Sequence, residues 1–219
     1  PRIPPGIAGV DEQVEGGFEQ QSVVLVTGDA GSGKSLFSMQ YLYNGATEYD
    51  EPGLYISFEE KKRDVFRRMS RFGWNLSKLE KEKKLVILEY PPHEIERFIS
   101  EGQLVEDIIK ERGIKRLCID SVTSFALVFD SEYKRRRGIL RALNRLKRWG
   151  CTTLITAEGD ISARGEVQSR FSLGYMSDGI VYLYNLRRGD RRVRAFEVFK
   201  MRGTSHNAAI SPMSIEKKG

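Results

Sequence analysis

The chain of 219 residues is 40% hydrophobic and 30% charged, which is typical of a globular protein with room for a core and excludes a low-complexity or fibrous chain. Its 36 basic and 30 acidic residues give a net charge of +6, a balance that suits anionic partners such as nucleotides or nucleic acid. Cys118 and Cys151 lack the spacing of a metal site, and no apolar run approaches the length of a membrane span, so we expect buried, reduced thiols in a cytoplasmic protein.

The chain opens with a segment rich in proline and glycine, residues 1–17, for which we predict an irregular lead-in. Ser22–Thr27 is a β-branched run and predicts a buried parallel strand, and Ser35–Tyr49 predicts a helix. Between them, Gly28–Ser35 reads Gly-Asp-Ala-Gly-Ser-Gly-Lys-Ser and matches the phosphate-loop pattern G-x-x-x-x-G-K-[ST] at every fixed position. Strand, glycine-rich turn and helix follow in the order that a phosphate loop requires.

This loop predicts a nucleotide site. Glycines leave backbone N–H groups free to surround an anion, and the helix N-terminus contributes the positive end of its dipole. Lys34 would reach the β- and γ-phosphates, and the Ser35 hydroxyl would bind Mg²⁺. We therefore expect nucleotide-binding residues throughout the stretch, namely Gly28, Asp29, Ala30, Gly31, Ser32, Gly33, Lys34, Ser35 and Leu36.

The rest of the chain alternates helices and strands up to residue 157 and is then mainly strand. Apolar runs predict strands at Leu54–Phe58, Leu85–Leu88, Leu117–Asp120, Thr152–Ala157, Gly179–Tyr184 and Arg194–Met201, the last two joined by a hairpin turn. Helical spacing predicts helices at Lys61–Phe72, at His93–Arg112, which Gly102 could divide, and at Ser131–Trp149, where Ser131 is the cap. For the charged connection Lys78–Lys84 we predict a solvated helix, and polar segments remain at the loop candidate Glu158–Phe171 and in the short tail, residues 204–219.

This order of elements predicts a single α/β domain over residues 1–219. We expect a mostly parallel, twisted sheet with helices on both faces and an antiparallel extension at the C-terminal end. In such sheets the ligand binds at the carboxyl ends of the strands. The phosphate loop, the pair Glu59 and Glu60, and Asp120 each follow directly on a predicted strand, so the pattern gathers them at one edge.

Phosphoryl transfer also needs a metal ion and an oriented water, and carboxylates can supply both requirements. Asp120 ends an apolar strand, and we predict that it holds Mg²⁺ and its waters together with Ser35. Glu59 and Glu60 end the second strand, which lies beside the loop strand if sequential strands are neighbours. A carboxylate there could orient or deprotonate the attacking water. Position alone equally allows both glutamates to cap the following helix.

At five places the sequence resembles the KaiC-type ATPases of the RecA superfamily of phosphate-loop ATPases. These places are Arg2–Asp11 with Gly16-Gly17, the phosphate loop, Ser57–Glu60, the Gly73-Trp74 turn, and Lys200–His206 with the sequence Lys-Met-Arg-Gly-Thr-Ser-His. The resemblance spans nearly the whole chain and implies a RecA-like phosphate-loop ATPase core that uses ATP and Mg²⁺. It also implies that Glu59, with Glu60 beside it, activates water.

The resemblance further implies roles for residues near the C-terminus, where position alone would favour solvated charge. Lys200 and Arg202 would act as finger residues on the γ-phosphate in the site of a neighbouring subunit. Thr204 and His206 would lie near the same bound nucleotide. A finger supplied in trans requires an assembly, and the resemblance implies a homohexameric ring.

An autokinase activity is not expected from this chain. The autokinase half of the clock protein in this family carries a Ser-Thr pair three to four residues before an aspartate that precedes a strand. Counting back from Asp178, this chain has Gly174 and Tyr175 at those positions.

Two other functions stay open at this level. The chain could be a RecA-like DNA-dependent ATPase that binds single-stranded DNA through the basic residues from Lys134 to Arg148 or through the loop Glu158–Phe171. The plain alternative for the basic residues is a solvated or subunit-contacting helix face. The chain could also be an ATP-gated scaffold that does not hydrolyse its nucleotide.

Overall fold

The structure, a computed structural model, describes residues 1–161, 167–169 and 173–219. Its strands are β1 (Arg2–Ile3), β2 (Phe18–Glu19), β3 (Val23–Gly28), β4 (Gly53–Ser57), β5 (Leu85–Glu89), β6 (Arg116–Asp120), β7 (Thr152–Ile161), β8 (Val167–Ser169), β9 (Gly179–Arg188), β10 (Arg191–Met201) and β11 (Ser211–Met213). Its α-helices are α1 (Lys34–Glu48), α2 (Lys62–Met69), α3 (Leu76–Lys81), α4 (Ile95–Glu101), α5 (Gln103–Arg112), α6 (Glu132–Trp149) and α7 (Leu173–Met176).

One large sheet organises the molecule, with the strand order β11-β10-β9-β3-β7-β6-β4-β5. Neighbours from β9 to β5 are parallel, whereas β10 and β11 extend the sheet through antiparallel pairs. The short strand β8 pairs with the end of β7. The predicted mostly parallel sheet with an antiparallel C-terminal extension is therefore confirmed.

The strand that carries the phosphate loop is enclosed on both faces. Successive strand residues point to opposite sides, so Val24 and Val26 pack in one core with α1, while Val23 and Leu25 pack in the other with α4, α5 and α6. All four side chains are at most 1% exposed. Helices thus cover both faces of the sheet, as predicted, and α1 lies on the opposite face from α4 and α6.

Helix α6 has the predicted cap and an apolar stripe that faces the core. Ser131 Oγ accepts a hydrogen bond from the backbone N–H of Lys134 at 3.3 Å. Ile139, Leu143 and Leu146 are buried in the second core. The outer face of the helix carries basic residues. Neither α6 nor any other described helix combines the length and apolar character needed to cross a bilayer.

A buried cation joins the first helix to the start of β6. Arg116 is fully buried and donates to Glu51 Oε2 at 2.6 Å and to the backbone carbonyl of Tyr41 at 2.9 Å. Its guanidinium also lies over the rings of Tyr41 and Tyr49. A side chain at Gly45 would collide with it, since an added Cβ would lie 2.4 Å from Arg116 Cδ. The charge is therefore compensated by a carboxylate, a carbonyl and two aromatic faces.

The expected adjacency of the first two long strands is wrong. Strand β4 lies next to β6, and both β6 and β7 separate it from β3. The reason is that β6 and β7, although later in the chain, insert between the loop strand and β4. The Glu59-Glu60 pair that follows β4 therefore lies beside the strand that ends in Asp120.

Three segments for which the sequence predicts no strand contain short strands. The lead-in pairs through β1 with β2, and the tail contributes β11 to the sheet edge. The loop candidate Glu158–Phe171 begins as strand, because β7 continues to Ile161 and pairs with β8. Residues 162–166 and 170–171 of that candidate lie outside the described residues. The pairings of β1 and β11 depend on a partner strand that is remote in sequence, so local patterns do not indicate them.

Candidate nucleotide site

The phosphate loop joins β3 to α1 at the carboxyl edge of the sheet, as predicted. Gly28 has φ +147°, and a Cβ added there would lie 2.0 Å from the backbone oxygen of Leu183. Gly33, with φ +106°, is the N-cap of α1. Only glycine meets both demands without strain, which keeps the loop close to β9 and its first helical N–H groups uncovered.

Lys34 curls back over the loop that precedes it. Its Nζ donates to the backbone oxygens of Gly28 and Asp29, both at 2.8 Å. Burial lowers the pKa of Lys34, and the carboxylates of Glu158 and Asp120 oppose that shift. An ammonium group held by carbonyl oxygens in a partly desolvated cradle is suited to exchange those oxygens for phosphate oxygens.

The loop contains a buried hydroxyl without a hydrogen-bond partner. Ser32 is 0% exposed, and its Oγ has no partner among the described atoms. A buried polar group in this condition costs free energy unless a ligand or water satisfies it. The residues of the loop therefore fit an anion that brings several acceptor oxygens.

Two side chains that sequence reasoning missed support the loop from the neighbouring hairpin. Asn185 Nδ2 donates to the backbone oxygen of Ala30 at 3.1 Å, and Arg194 Nε donates to that of Gly31 at 3.2 Å. The two residues face each other across β9 and β10. Which hairpin residues meet the loop depends on the register of β9 against β3, and the sequence does not specify that register.

Asp120 ends β6 and is held by two hydroxyl groups. Thr156 Oγ1 donates to its Oδ1 at 2.5 Å, and the Tyr55 hydroxyl donates to its Oδ2. Asp120 is 9% exposed, so its carboxylate is held in a largely buried position at the end of the strand. An aspartate and a serine hydroxyl at the start of α1, Ser35, form an oxygen donor set that fits Mg²⁺ bound through a few protein oxygens, waters and phosphates.

The adjacent glutamates after β4 have different partners. Glu59 Oε1 accepts hydrogen bonds from Ser124 Oγ at 3.0 Å and from the Ser121 hydroxyl. Glu60 Oε1 instead pairs with Arg68 Nη1 of α2 at 2.5 Å. Glu59 is thus oriented beside Asp120, whereas Glu60 is directed to the neighbouring helix.

Glu158 is an additional acid at the same edge, and sequence reasoning treated it only as the start of a loop. It pairs in register with Gly28 across β7 and β3, and its backbone N–H donates to Thr123 Oγ1 at 2.9 Å. Its carboxylate is exposed and interacts with the charge of Lys34. The position directly after an apolar strand was the signal that could have identified it.

A cavity of 360 Å³ opens beside the start of α1. Gly33, Leu36 and Gln40 line one side, and Met213 and Ile215 of the tail line the other. A Cβ at Gly33 would lie 3.3 Å from Ile215 Cδ1, so the tail packs closely against the loop. The lining is largely apolar with a few polar groups, which is the composition of small-molecule sites.

Lys200 and Arg202 lie at the opposite edge of the sheet from the phosphate loop. Met201 pairs with Gly179, which pairs with Val24, four residues before Gly28 on β3. This register separates the end of β10 from the loop by about 13 Å along the strands. Neither cation can therefore complete the site of its own chain.

Both cations are engaged by the segment around α7. Lys200 Nζ donates to the backbone oxygens of Gly174 at 2.8 Å and Ser177 at 2.7 Å. Arg202 Nη2 donates to the backbone oxygen of Tyr175 at 3.1 Å, and its Nη1 lies 3.6 Å from Asp178 Oδ1. Burial, followed by the charge of Arg202, lowers the pKa of Lys200.

Thr204 and His206 follow the same edge. The Thr204 hydroxyl accepts a hydrogen bond from Arg2 Nη1 at 2.8 Å, and Arg2 also pairs with Glu15 at 2.5 Å. His206 Nδ1 lies 3.5 Å from the backbone oxygen of Thr204. The lead-in therefore holds this part of the tail close to the two cations and, like them, away from the loop of the same chain.

The chain is a RecA-like phosphate-loop protein. It has a parallel sheet, a phosphate loop that follows an enclosed strand, and a fixed aspartate at the end of the strand two positions away in the sheet. The family model of the KaiC ATPases matches residues 3–219. The chain belongs to the KaiC ATPase family.

Named relatives agree with this assignment. The chain is 39% identical over 220 residues to the circadian clock oscillator protein KaiC of Synechococcus elongatus and 38% identical over 222 residues to that of Thermostichus vulcanus. These alignments cover 97% and 98% of this chain but only 42% of each relative, so the chain spans less than half of their length. The crystal structure of a KaiC-like protein from the hyperthermophilic archaeon Pyrococcus horikoshii superimposes with a TM-score of 0.89 at 35% identity, covering 100% of this chain and 97% of that one.

Proposed function

We propose that this protein is a Mg²⁺-dependent ATPase of the KaiC type, active as a homohexameric ring in the cytoplasm and without autokinase activity. Each reaction centre is composed of the phosphate loop of one copy and the C-terminal cations of the next. Family membership supports the ATPase class. The observation that carries the trans arrangement is the location of Lys200 and Arg202 at the sheet edge opposite to the loop of their own chain.

Binding of the nucleotide falls to residues 28–36 and to the adjoining cavity. Loop N–H groups, the Ser32 hydroxyl and Lys34 bind the phosphates, because they supply uncompensated donors and a cation. The base occupies the cavity between Leu36 and Ile215, which supplies apolar surface beside the loop. ATP fills both parts of this site.

Activation of water falls to Glu59. Two serine hydroxyls orient its carboxylate beside Asp120, where it can accept a proton from a water that attacks the γ-phosphorus. Asp120 and Ser35 hold Mg²⁺, which when bound neutralises charge on the β- and γ-phosphates. Glu60 has a supporting role through its pair with Arg68, which fixes the turn that carries Glu59.

Charge that develops on the transferred phosphoryl group requires cations close to it in the transition state. Lys200 and Arg202 of a neighbouring copy supply them, and Thr204 and His206 approach the same nucleotide. To do so, the cations exchange the carbonyls around α7 for phosphate oxygens. Hydrolysis therefore depends on assembly.

Mixing two inactive variants tests this proposal directly. In Glu59→Gln the chain retains its cations, and in Arg202→Ala it retains its own loop and Glu59. We expect each variant alone to bind ATP but to lose roughly 10³-fold in phosphate release, the scale expected for a lost finger. Co-assembled from differently tagged chains, they should recover about a quarter of the wild-type rate, because one interface in four then combines an intact centre with an intact finger.

The control is Arg63→Ala, which removes an exposed arginine on α2 and should leave the rate unchanged. Recovery of phosphate release on mixing cannot occur if Glu59 and Arg202 must act in the site of the same chain, because every chain in the mixture then lacks one of them. Absence of recovery in assemblies that contain both tags, or wild-type hydrolysis by Arg202→Ala, would refute the trans arrangement. Absence of phosphate release from the wild-type ring, with assembly unaffected by Glu59→Gln, would instead identify an ATP-gated scaffold.

A further inference from the structure

A basic groove lies on the helical face of the sheet opposite to α1. It is an open cleft of 990 Å³ between α4 and α6. One wall is a stripe of α6 cations, namely Lys134, Arg137, Arg141, Arg145 and Arg148. We call this cleft the basic groove. It belongs neither to the phosphate loop nor to the C-terminal cations, and the proposed ATPase reaction does not use it.

The cations follow a regular line because they recur at spacings of three and four residues on one helix. Successive members are about 4.5–6 Å apart along the axis, and the stripe from Lys134 to Arg148 is about 21 Å long. A line of positive charge with this repeat matches a ligand whose negative charges also recur at short intervals along a chain. Nucleic-acid backbones have that property.

Three of these arginines have no anionic partner in the part of the chain that the structure describes. Arg137, Arg141 and Arg148 are exposed, and no carboxylate among the described residues lies within 4 Å of them. Arg145 instead donates to the backbone oxygen of Ser100 at 3.0 Å, which fixes it at the α4 wall. Surface arginines on other helices are commonly paired, as Arg67 is with Asp64, so this stripe leaves its charge available.

The floor of the groove adds an aromatic surface. Phe129 lines the cleft and lies against α6 at Gly138, where a Cβ would be 2.4 Å from the ring. Asn144 adds an amide, and Glu96 on the α4 wall is an acid among the described lining residues. A positive groove with an aromatic face combines the two features that bind single-stranded nucleic acid, phosphate attraction and base stacking.

We infer that the basic groove binds single-stranded nucleic acid, with Arg137, Arg141 and Arg148 on the phosphates and Phe129 against a base. The contact with phosphates is independent of sequence. Binding here is separate from ATP hydrolysis, because the groove and α1 lie on opposite faces of the sheet.

The test is fluorescence anisotropy with a labelled, mixed-sequence DNA strand of about 16 nucleotides, titrated with the full chain between 50 and 200 mM salt. The triple variant Arg137→Gln/Arg141→Gln/Arg148→Gln should bind at least tenfold more weakly. Its log–log salt slope should be smaller by about 2, the change expected when three phosphate contacts are lost from a single strand. Phosphate release and assembly should remain at wild-type values.

The matched control is Arg63→Gln/Arg71→Gln, which removes exposed arginines from the region of α2 and should change neither affinity nor slope. Phe129→Leu should weaken binding without altering the slope, since it removes stacking and no charge. The inference is overturned if the wild type does not bind the strand at 50 mM salt or if the triple variant binds like the control. Tighter binding of the matching duplex, or equal displacement by polyglutamate of the same charge, would overturn the single-strand assignment.

Discussion

Glu59 depends on two small side chains for its orientation. Ser121 and Ser124 both donate to the same carboxylate oxygen, and the second oxygen, which has no hydrogen-bond partner among the residues that the structure describes, can accept a proton from water. Neither serine touches the nucleotide in the proposed reaction, and each acts through the glutamate. Ser124 is the better residue to alter, because Ser121 adjoins Asp120 and a change there would also disturb the metal site.

We predict that Ser124→Ala lowers kcat about tenfold while KM for ATP stays within twofold. A carboxylate that loses one of its two donors samples other orientations, and small losses of alignment are costly in catalysis. Steady-state phosphate release measures both parameters. Ser124→Thr, which keeps the hydroxyl, should restore most of the rate.

Measuring Ser124→Ala in both wild-type and Glu59→Gln chains distinguishes a role in positioning Glu59 from a general structural defect. In Glu59→Gln chains, Ser124→Ala should have no further effect, because the group through which the serine acts is already absent. An equal loss in both backgrounds would contradict the positioning role.

At the scale of elements, the pair of Arg116 and Glu51 links β6 to the segment after α1. We predict that Glu51→Ala lowers the free energy of unfolding by about 3 kcal/mol, since it leaves a fully buried guanidinium without its carboxylate. Urea unfolding of the nucleotide-free protein, followed by circular dichroism, measures the change.

Glu82→Ala is the matched control for that variant. It also removes a glutamate from an ion pair, here with Lys78 on the exposed side of α3, and should change stability by no more than about 0.5 kcal/mol. A similar loss of unfolding free energy in the two variants would show that the burial of Arg116 does not determine the loss of stability.

Elements with strong local signals could be predicted from sequence. Strands β3, β4 and β6 are apolar runs of a few residues, and α6 has a serine cap and an apolar stripe, so existence and type were clear. The order of the strands in the sheet could not be predicted, because β6 and β7 insert between β3 and β4 and no local pattern encodes that insertion. Short ladders such as β11 were missed for the same reason.

The candidate site divides in the same way. Gly28–Ser35 and Asp120 follow from motif and strand position, while the roles of Lys200 and Arg202 came only from the family resemblance and stay predictions. Asn185 and Arg194 support the loop from a hairpin, where only the register decides the contact. Tertiary geometry therefore accounts for the residues that the sequence did not reveal.

At the scale of the whole molecule, activity should depend on protein concentration. Because each centre needs two copies, the rate per chain should fall as the assembly dissociates. We predict that phosphate release per chain declines on dilution over the range in which analytical ultracentrifugation in the presence of ATP shows loss of the hexamer. A constant rate per chain across that range would argue against a centre shared between copies.

Placement of the loop and the C-terminal cations on opposite edges of one sheet gives every chain a front and a back. If copies meet through these edges, each contact is head to tail, and an open row of copies has two different ends. At one end a phosphate loop lacks the cations of a neighbour, and at the other end a pair of cations lacks a neighbouring loop. A row of n copies then has n−1 working centres, and closure adds the last. Closure into a ring would thus add both a subunit contact and a reaction centre. A fragment that presents only the edge with the cations would bind the free loop at the end of a row and stop further addition of copies.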